Sequence, residues 1–291
     1  MYPENHLHGA LFAISAALMF AAMGATIKII SADLPTEMAV FFRNLFGLIA
    51  LLPWLLRGGV RALATQHFNA HLMRSLAGVA AMYCFFYAIH YLPLSEAVLL
   101  NFTAPLFVPF VALFWLKEPV SRALWGAILA GFAGIILILK PGMAMFSPAA
   151  LIGLASGALA ALAVANIRRM AETEPTTRIV FYFCIISTLV SALPMLWQWQ
   201  TPDPALWGFM ILSGVLATAG QLLLTRSYAL ASASFIGPFT YSSVVFATII
   251  GWLLWDESPH ALTLAGALLV CVAGIIAMRQ AGAPEPAGIK K

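Results

Sequence analysis

Apolar residues in this chain neither alternate nor keep to one helical face. They fill runs of about 17 to 24 residues, with polar and turn-forming residues gathered between them. A helix needs about 20 apolar residues to cross the hydrocarbon core of a bilayer. Ten such spans are predicted: Gly9–Ile30, Thr36–Leu56, His71–Tyr91, Ser95–Leu116, Ser121–Leu139, Ala149–Ala165, Thr177–Gln198, Leu206–Ala229, Ser232–Trp255 and Leu262–Arg279. The separators carry turn chemistry, as in Asp33-Leu34-Pro35, Arg57-Gly58-Gly59, Lys140-Pro141-Gly142 and Thr201-Pro202-Asp203-Pro204. Residues 1–8 are read as a short N-terminal segment. Residues 280–291, with Ala283-Pro284-Glu285-Pro286, have nothing to bury and are expected to be a disordered tail.

Composition narrows the class. Of 291 residues, 62% are hydrophobic and 9% charged, against roughly 45–50% and about 25% in soluble domains. So little charge could not wet the surface of a soluble enzyme, and the apolar content excludes a disordered chain. Ten spans use roughly 200 residues, which leaves little for a soluble domain. The fold class expected is therefore an all-α membrane protein lying in a lipid bilayer.

The net charge of +4 reflects topology, not nucleic-acid binding, since the basic residues sit at the ends of apolar runs. With both termini in the cytoplasm, the inside segments hold twelve basic residues, among them Arg57, Arg74, Arg168, Arg169, Arg178 and Arg279. The outside ends hold Lys28 and Lys140, and Arg43 lies within the second span. That is the asymmetry expected of an inner-membrane protein with a cytoplasmic N-terminus. Cys84, Cys184 and Cys271 each fall inside an apolar run, where a disulfide framework or metal site is not expected. The first run is too long for the core of a cleavable signal peptide and has no Lys or Arg before it.

The chain also repeats itself. Phe102-Thr103-Ala104-Pro105 is followed by an apolar run and Leu116-Lys117-Glu118-Pro119. Tyr241-Ser242-Ser243-Val244 is followed by a run of the same length and Trp255-Asp256-Glu257-Ser258. Ala133-Gly134-Ile135-Ile136 returns as Ala273-Gly274-Ile275-Ile276, and Pro53 near the end of span 2 returns as Pro194 in span 7. The repeat is five spans long, residues 9–140 and 149–279. Five is odd, so the second copy enters the membrane from the opposite face. Inverted repeats of this kind give secondary transporters two faces around a midplane site.

Tyr87-Ala88, Leu94-Ser95-Glu96-Ala97, Pro105, Leu116-Lys117-Glu118-Pro119, Gly126 and Gly131-Phe132-Ala133-Gly134, echoed in the second half, resemble the EamA family of the drug/metabolite transporter superfamily. The resemblance runs from about Gly9 to Arg279. It implies ten transmembrane helices in two inverted five-helix EamA repeats, working by alternating access. It further implies that spans 1–4 and 6–9 surround a central cavity. The family's Leu-Gly-Glu is here Leu116-Lys117-Glu118 and Trp255-Asp256-Glu257, with the Glu kept and the Gly replaced.

Arg43 is the sharpest candidate. It lies seven residues into span 2, roughly 10 Å deep at 1.5 Å per residue. Facing lipid there it would cost several kcal/mol, so a cavity or a partner is expected. It is read either as a ligand for an anionic substrate or as a structural group on helix-end carbonyls. Lys28 snorkels or adds a second positive charge to the cavity. Arg74 is read as an orientation signal. Glu96 caps span 4 or couples protons; Glu118 and Glu257 are read as acids at helix N-termini. Tyr83, Tyr87, Asn101, Gln221 and Tyr241 bind substrate or bond helix to helix. Pro105 and Pro238 each interrupt a backbone bond and are candidate gates. Gly153 and Gly157 suit close packing within the chain. His67 and His71 stand four apart without a third metal ligand, and no phosphate-binding loop, nucleophile triad or cofactor motif is present.

The expected protein is a secondary active transporter of a small organic molecule, carboxylate-bearing and amino-acid-like, driven by protons or exchange. It would act as a monomer or weak homodimer. The rival is a carrier of cationic or zwitterionic solutes with aromatic walls, and more remotely an intramembrane lipid-modifying enzyme. The topology is testable. Single cysteines at Thr65 and Thr173 should label only from the cytoplasm, and one at Pro202 only from outside. Labelling of Thr65 and Pro202 from the same side would refute the odd-numbered repeat.

Overall fold

The computed structural model describes residues 6–59, 63–111, 122–138, 147–170, 173–230 and 239–281. In chain order the helices are α1 (His6–Asp33), α2 (Thr36–Gly58), α3 (Phe68–Tyr91), α4 (Leu94–Asn101), α5 (Ala104–Val111), α6 (Arg122–Ile138), α7 (Pro148–Met170), α8 (Thr176–Trp197), α9 (Pro204–Leu230), α10 (Ser242–Trp255) and α11 (Ala261–Ala281). Among the described residues there is no strand. Among the described residues, six helices are long and apolar enough to cross a membrane: α1, α2, α3, α7, α8 and α9. Two shorter apolar helices lie within α10 and α11.

Leu189, Leu193 and Leu196 of α8, Trp252 and Leu253 of α10, and Leu264 and Leu268 of α11 are exposed. Ile27, Ile30, Met38, Phe86, Ile89 and Leu99 are buried between helices. An apolar exterior around a packed interior is the arrangement that a hydrocarbon solvent favours.

The packing follows a five-span offset. α1 lies along α9 and α7 along α3. α2 meets α9 and α8 meets α3. α2 also packs on α8, α4 on α10, and α6 on α11. Close approach depends on small residues. A Cβ built on Gly214 of α9 would sit 2.7 Å from the backbone nitrogen of Gly47 on α2. Gly153 and Gly157 of α7 face Leu100, Ala88 and Thr103 of the same chain.

Span 4 departs from the expectation of one kinked helix. It is two helices, α4 and α5, separated at Phe102-Thr103. The Thr103 hydroxyl donates to the Leu100 carbonyl (2.6 Å), and Tyr241 Oη donates to the Phe102 carbonyl (3.4 Å). The interruption begins before Pro105, which is the second residue of α5. Pro238, Glu118, Lys117, Lys140 and the tail from 282 lie outside the described residues.

The turn after α10 shows how the replaced glycine is accommodated. Asp256 takes the left-handed conformation, φ 55°, that a glycine would otherwise supply at a helix C-terminus. This turn sends the Glu257 carboxylate back toward α4 and α1. One oxygen accepts the Leu94 N–H at 2.8 Å and the other pairs with Lys28, whose ammonium also donates to the Leu92 carbonyl at 3.0 Å. Two expectations are corrected here. Lys28 is ion-paired, and not a second cavity charge beside Arg43. Glu257 caps α4 from across the bundle, and does not serve the helix that follows it. Glu96 stands in the first turn of α4, and its Oε1 accepts the Thr263 hydroxyl of α11 at 3.1 Å.

Candidate substrate cavity and buried charges

The polar groups of this protein are arranged along α3. His71, Arg74, Ser75, Gly78 and Met82 recur at three- and four-residue steps, so they share one helix face. That face meets α2 and α8. Three sites lie along α3, the second and third on this face and the first on another.

The first is a cavity of about 460 Å³ at the end where α1 passes into α2. Leu34 to Glu37, Tyr83, Tyr87, His90, Tyr91 and Ile152 are among its walls. Tyr87 stacks obliquely on Tyr91 with ring centroids 4.7 Å apart, and His90 meets Tyr91 edge-on at 4.4 Å. The Tyr83 hydroxyl is buried without a hydrogen-bond partner. Tyr83 and Tyr87 both line this cavity. Glu37, on α2's first turn, is the carboxylate of that wall. It went unrecognised in the sequence because it reads there as a helix N-terminal acid.

The second site is the pair Arg43 and Arg74. Arg43 is 5% exposed and Arg74 is 4% exposed. Both guanidinium groups lie on the Phe183 ring of α8, Arg43 at 5.6 Å and Arg74 at 3.6 Å from the centroid. Arg43 Nη1 donates to Asn44 Oδ1 at 2.7 Å; Asn44 Nδ2 in turn donates to the Val40 carbonyl at 2.9 Å and approaches Met82 Sδ at 3.6 Å. Arg43 Nε and Arg74 Nε and Nη1 have no acceptor, and the hydroxyls of Ser75 and Ser187 nearby on α3 and α8 have no partner. A Cβ on Gly78 would lie 2.8 Å from Phe183 and 3.0 Å from Arg74 Nη1, so the glycine makes room for both. Arg74, read from the sequence as an orientation signal, is thus buried among the helices. Its short distance from the span's start hid its burial, but its place on the face of Gly78 and Met82 was a readable sign.

The third site closes the opposite end. Glu174, between α7 and α8, accepts the Thr65 hydroxyl at 2.5 Å and Arg178 Nη1 at 2.7 Å. His71 Nε2 stands 3.8 Å from the same carboxylate, and its ring stacks on Tyr182 at 4.4 Å. Tyr182 Oη donates to the Leu63 carbonyl at 2.8 Å. His71 thus stands near the start of α3, where it is fully buried. Burial pushes the Glu174 carboxyl up, but hydrogen bonds from Thr65 and Arg178, with the Arg178 charge, outweigh it and hold the group below the ordinary carboxylate range. The sequence signal was Glu174 four residues ahead of Arg178 at a helix start.

The remaining candidates are scattered. Asn101 Nδ2 donates to Ser156 Oγ at 3.1 Å, joining α4 to α7. Tyr241 bridges α10 to the α4–α5 break. Gln221 is half-buried on α9. Neither these three nor Arg43 is among the residues walling the cavity.

The EamA-like transporter family matches residues 7–140 and again residues 147–279. The chain belongs to that family. It is 36% identical over 274 residues to the pseudopaline exporter CntI of Pseudomonas aeruginosa, covering 93% of this chain and 96% of that protein. It is 28% identical to a riboflavin transporter of Vibrio cholerae, covering 92% and 91%. An S-adenosylmethionine uptake transporter of Rickettsia felis is 30% identical, covering 79% and 78%. A protein of known crystal structure aligns with a TM-score of 0.64 and 18% identity, over 94% of this chain and 99% of its own, which shows the fold alone. This EamA-like protein is thus a multi-pass membrane protein of a transporter family, and not an enzyme.

Glu174 supplies a pH prediction. Its folded-state pKa is depressed, so its stabilising contribution is full above the ordinary carboxylate range and lost as pH falls through the lower folded value. Glu174→Gln should lower the melting temperature at neutral pH, at a cost on the order of 2 kcal/mol, and flatten the loss of stability toward acid. Melting curves across pH that coincide with wild type would show that this cluster holds nothing together.

Proposed function

We propose that this chain is a secondary carrier that moves a small organic metabolite bearing a carboxylate across the cytoplasmic membrane by alternating access. Two inverted five-helix units, residues 9–140 and 149–279, would supply the two faces, with both termini in the cytoplasm. The family match in two halves and the five-span offset in helix packing support that reading. On this orientation the aromatic cavity opens outward and the Glu174 cluster closes the cytoplasmic end. Arg43 is the observation that carries the substrate class. It is buried within the helices, its Nε has no acceptor, and Asn44 is neutral. A carboxylate meets that need through charge-assisted hydrogen bonds.

The cavity wall favours a second feature of the same substrate. Three tyrosines, a histidine and Glu37 form a surface suited to an ammonium group. An amino-acid-like solute would place its cationic end there and its carboxylate toward Arg43. A purely cationic substrate is the alternative reading of this wall. The relatives are named as an exporter in one case and an uptake transporter in another, so the family indicates transport without indicating direction.

Proton coupling is assigned to Glu96, whose bond to Thr263 joins α4 to α11, so that its protonation would loosen that joint. In proteoliposomes, Glu96→Gln should abolish pH-driven flux and leave counterflow exchange intact. Loss of pH dependence in Glu37→Gln instead would move the coupling to the cavity wall.

Arg43→Ala should nearly abolish binding of the carboxylates that stabilise wild type in a thermal-shift panel. Arg43→Lys should weaken it about tenfold, the cost of a lost charged hydrogen bond. Normal binding by folded Arg43→Ala, checked by size exclusion, would remove Arg43 as the ligand.

A further inference from the structure

We propose that the substrate carries two negative charges at once, one for Arg43 and one for Arg74. This deepens the carboxylate reading above and rests on it. The argument is a charge count. Arg43 comes from α2 and Arg74 from α3, and each is more than nine-tenths buried. Among the described residues no carboxylate pairs with either. The charged Lys and Arg pairs among the described residues are placed elsewhere: Lys28 with Glu257 near one end, and Arg178 with Glu174 at the other. What the two guanidinium groups share is the face of Phe183. An aromatic face offsets only part of the desolvation of one buried cation, and here it serves two that repel each other.

A ligand with a single carboxylate would neutralise one arginine and leave the other buried and uncompensated. Two acidic groups would satisfy both. The donors are in place, because Arg43 Nε, Arg74 Nε and Nη1, and the Ser75 and Ser187 hydroxyls all lack acceptors. Tyr83, on the cavity wall, is the sequence neighbour of Met82, whose sulfur meets Asn44, the partner of Arg43. The same chemistry could come from two carboxylates or from one phosphate monoester, and the experiment separates them.

The full chain, purified in nanodiscs, is tested by thermal shift and by competition with succinate, glutarate and adipate, their monoamides, and phenyl phosphate. One dicarboxylate, or phenyl phosphate, should bind about tenfold or more tightly than the monoamides, the worth of one charged hydrogen-bonded contact. That preference should vanish in Arg74→Gln and persist in reduced form in Arg74→Lys. Arg74→Met, which removes one of two repelling cations, should raise the melting temperature of the ligand-free protein by about 2 °C or more. Equal binding of diacids and monoamides by wild type would overturn the two-charge proposal and leave the carboxylate reading standing. So would an Arg74→Met variant that melts lower and keeps the preference, since Arg74 would then be packing for Phe183. If no acid binds and tetramethylammonium does, the carboxylate reading itself falls.

Discussion

A charge placed among transmembrane helices has to find its counter-charge inside the protein, because the surrounding hydrocarbon offers none. That constraint sorts the charged residues here into two groups. Near the ends of the bundle they are neutralised: Lys28 by Glu257, and Arg178 by Glu174 with Thr65 and His71 beside it. Between them, Arg43 and Arg74 lie buried against Phe183 with donors still unused. The paired charges tie segments distant in sequence. The unpaired ones are the groups on which the proposal of an anionic substrate rests.

The neutralised clusters suggest a division of labour along the transport axis. Lys28–Glu257 draws together α1, the turn between α3 and α4, and the end of α10. The Glu174 cluster draws the segment before α3 onto the start of α8. Buried ion pairs are costly to make and costly to break, and their value lies more in specifying an arrangement than in stabilising it. Clusters of that sort at opposite ends suit a protein whose two ends open in turn. The 460 Å³ cavity lies near the first cluster, between the α1–α2 corner, α3 and α7.

Alternating access would also need helices that slide without large repacking. The near backbone contact of α2 with α9 at Gly47 and Gly214 fits that requirement, as does the break of span 4 into α4 and α5. At that break the Phe102 carbonyl is taken by Tyr241 from the pseudo-equivalent span. Tyr241 therefore ties the start of α10 to the break in span 4.

Much of this was legible in the sequence. Apolar runs located the six long described helices within a few residues, since in hydrocarbon a helix is the way a short segment satisfies its own backbone, and length and apolarity suffice to find it. The division of the chain into two halves was read from recurring motifs, and the family model matches each half separately; Arg43 was noticed because its depth is counted along a single helix. Tertiary structure alone decided the partners. Glu257 lies 229 residues from Lys28, and Glu174 lies 109 from Thr65. Arg74 looked like a boundary charge, and only the packing of α3 on α8 turned it inward toward Phe183. Asp256 stood where the family has glycine, and the left-handed turn it adopts was needed to aim Glu257 at α4. Hydropathy depends on each residue's own transfer energy and can be summed along the chain. Charge pairing depends on which side chains three-dimensional packing brings within reach, and no sum along the chain contains that.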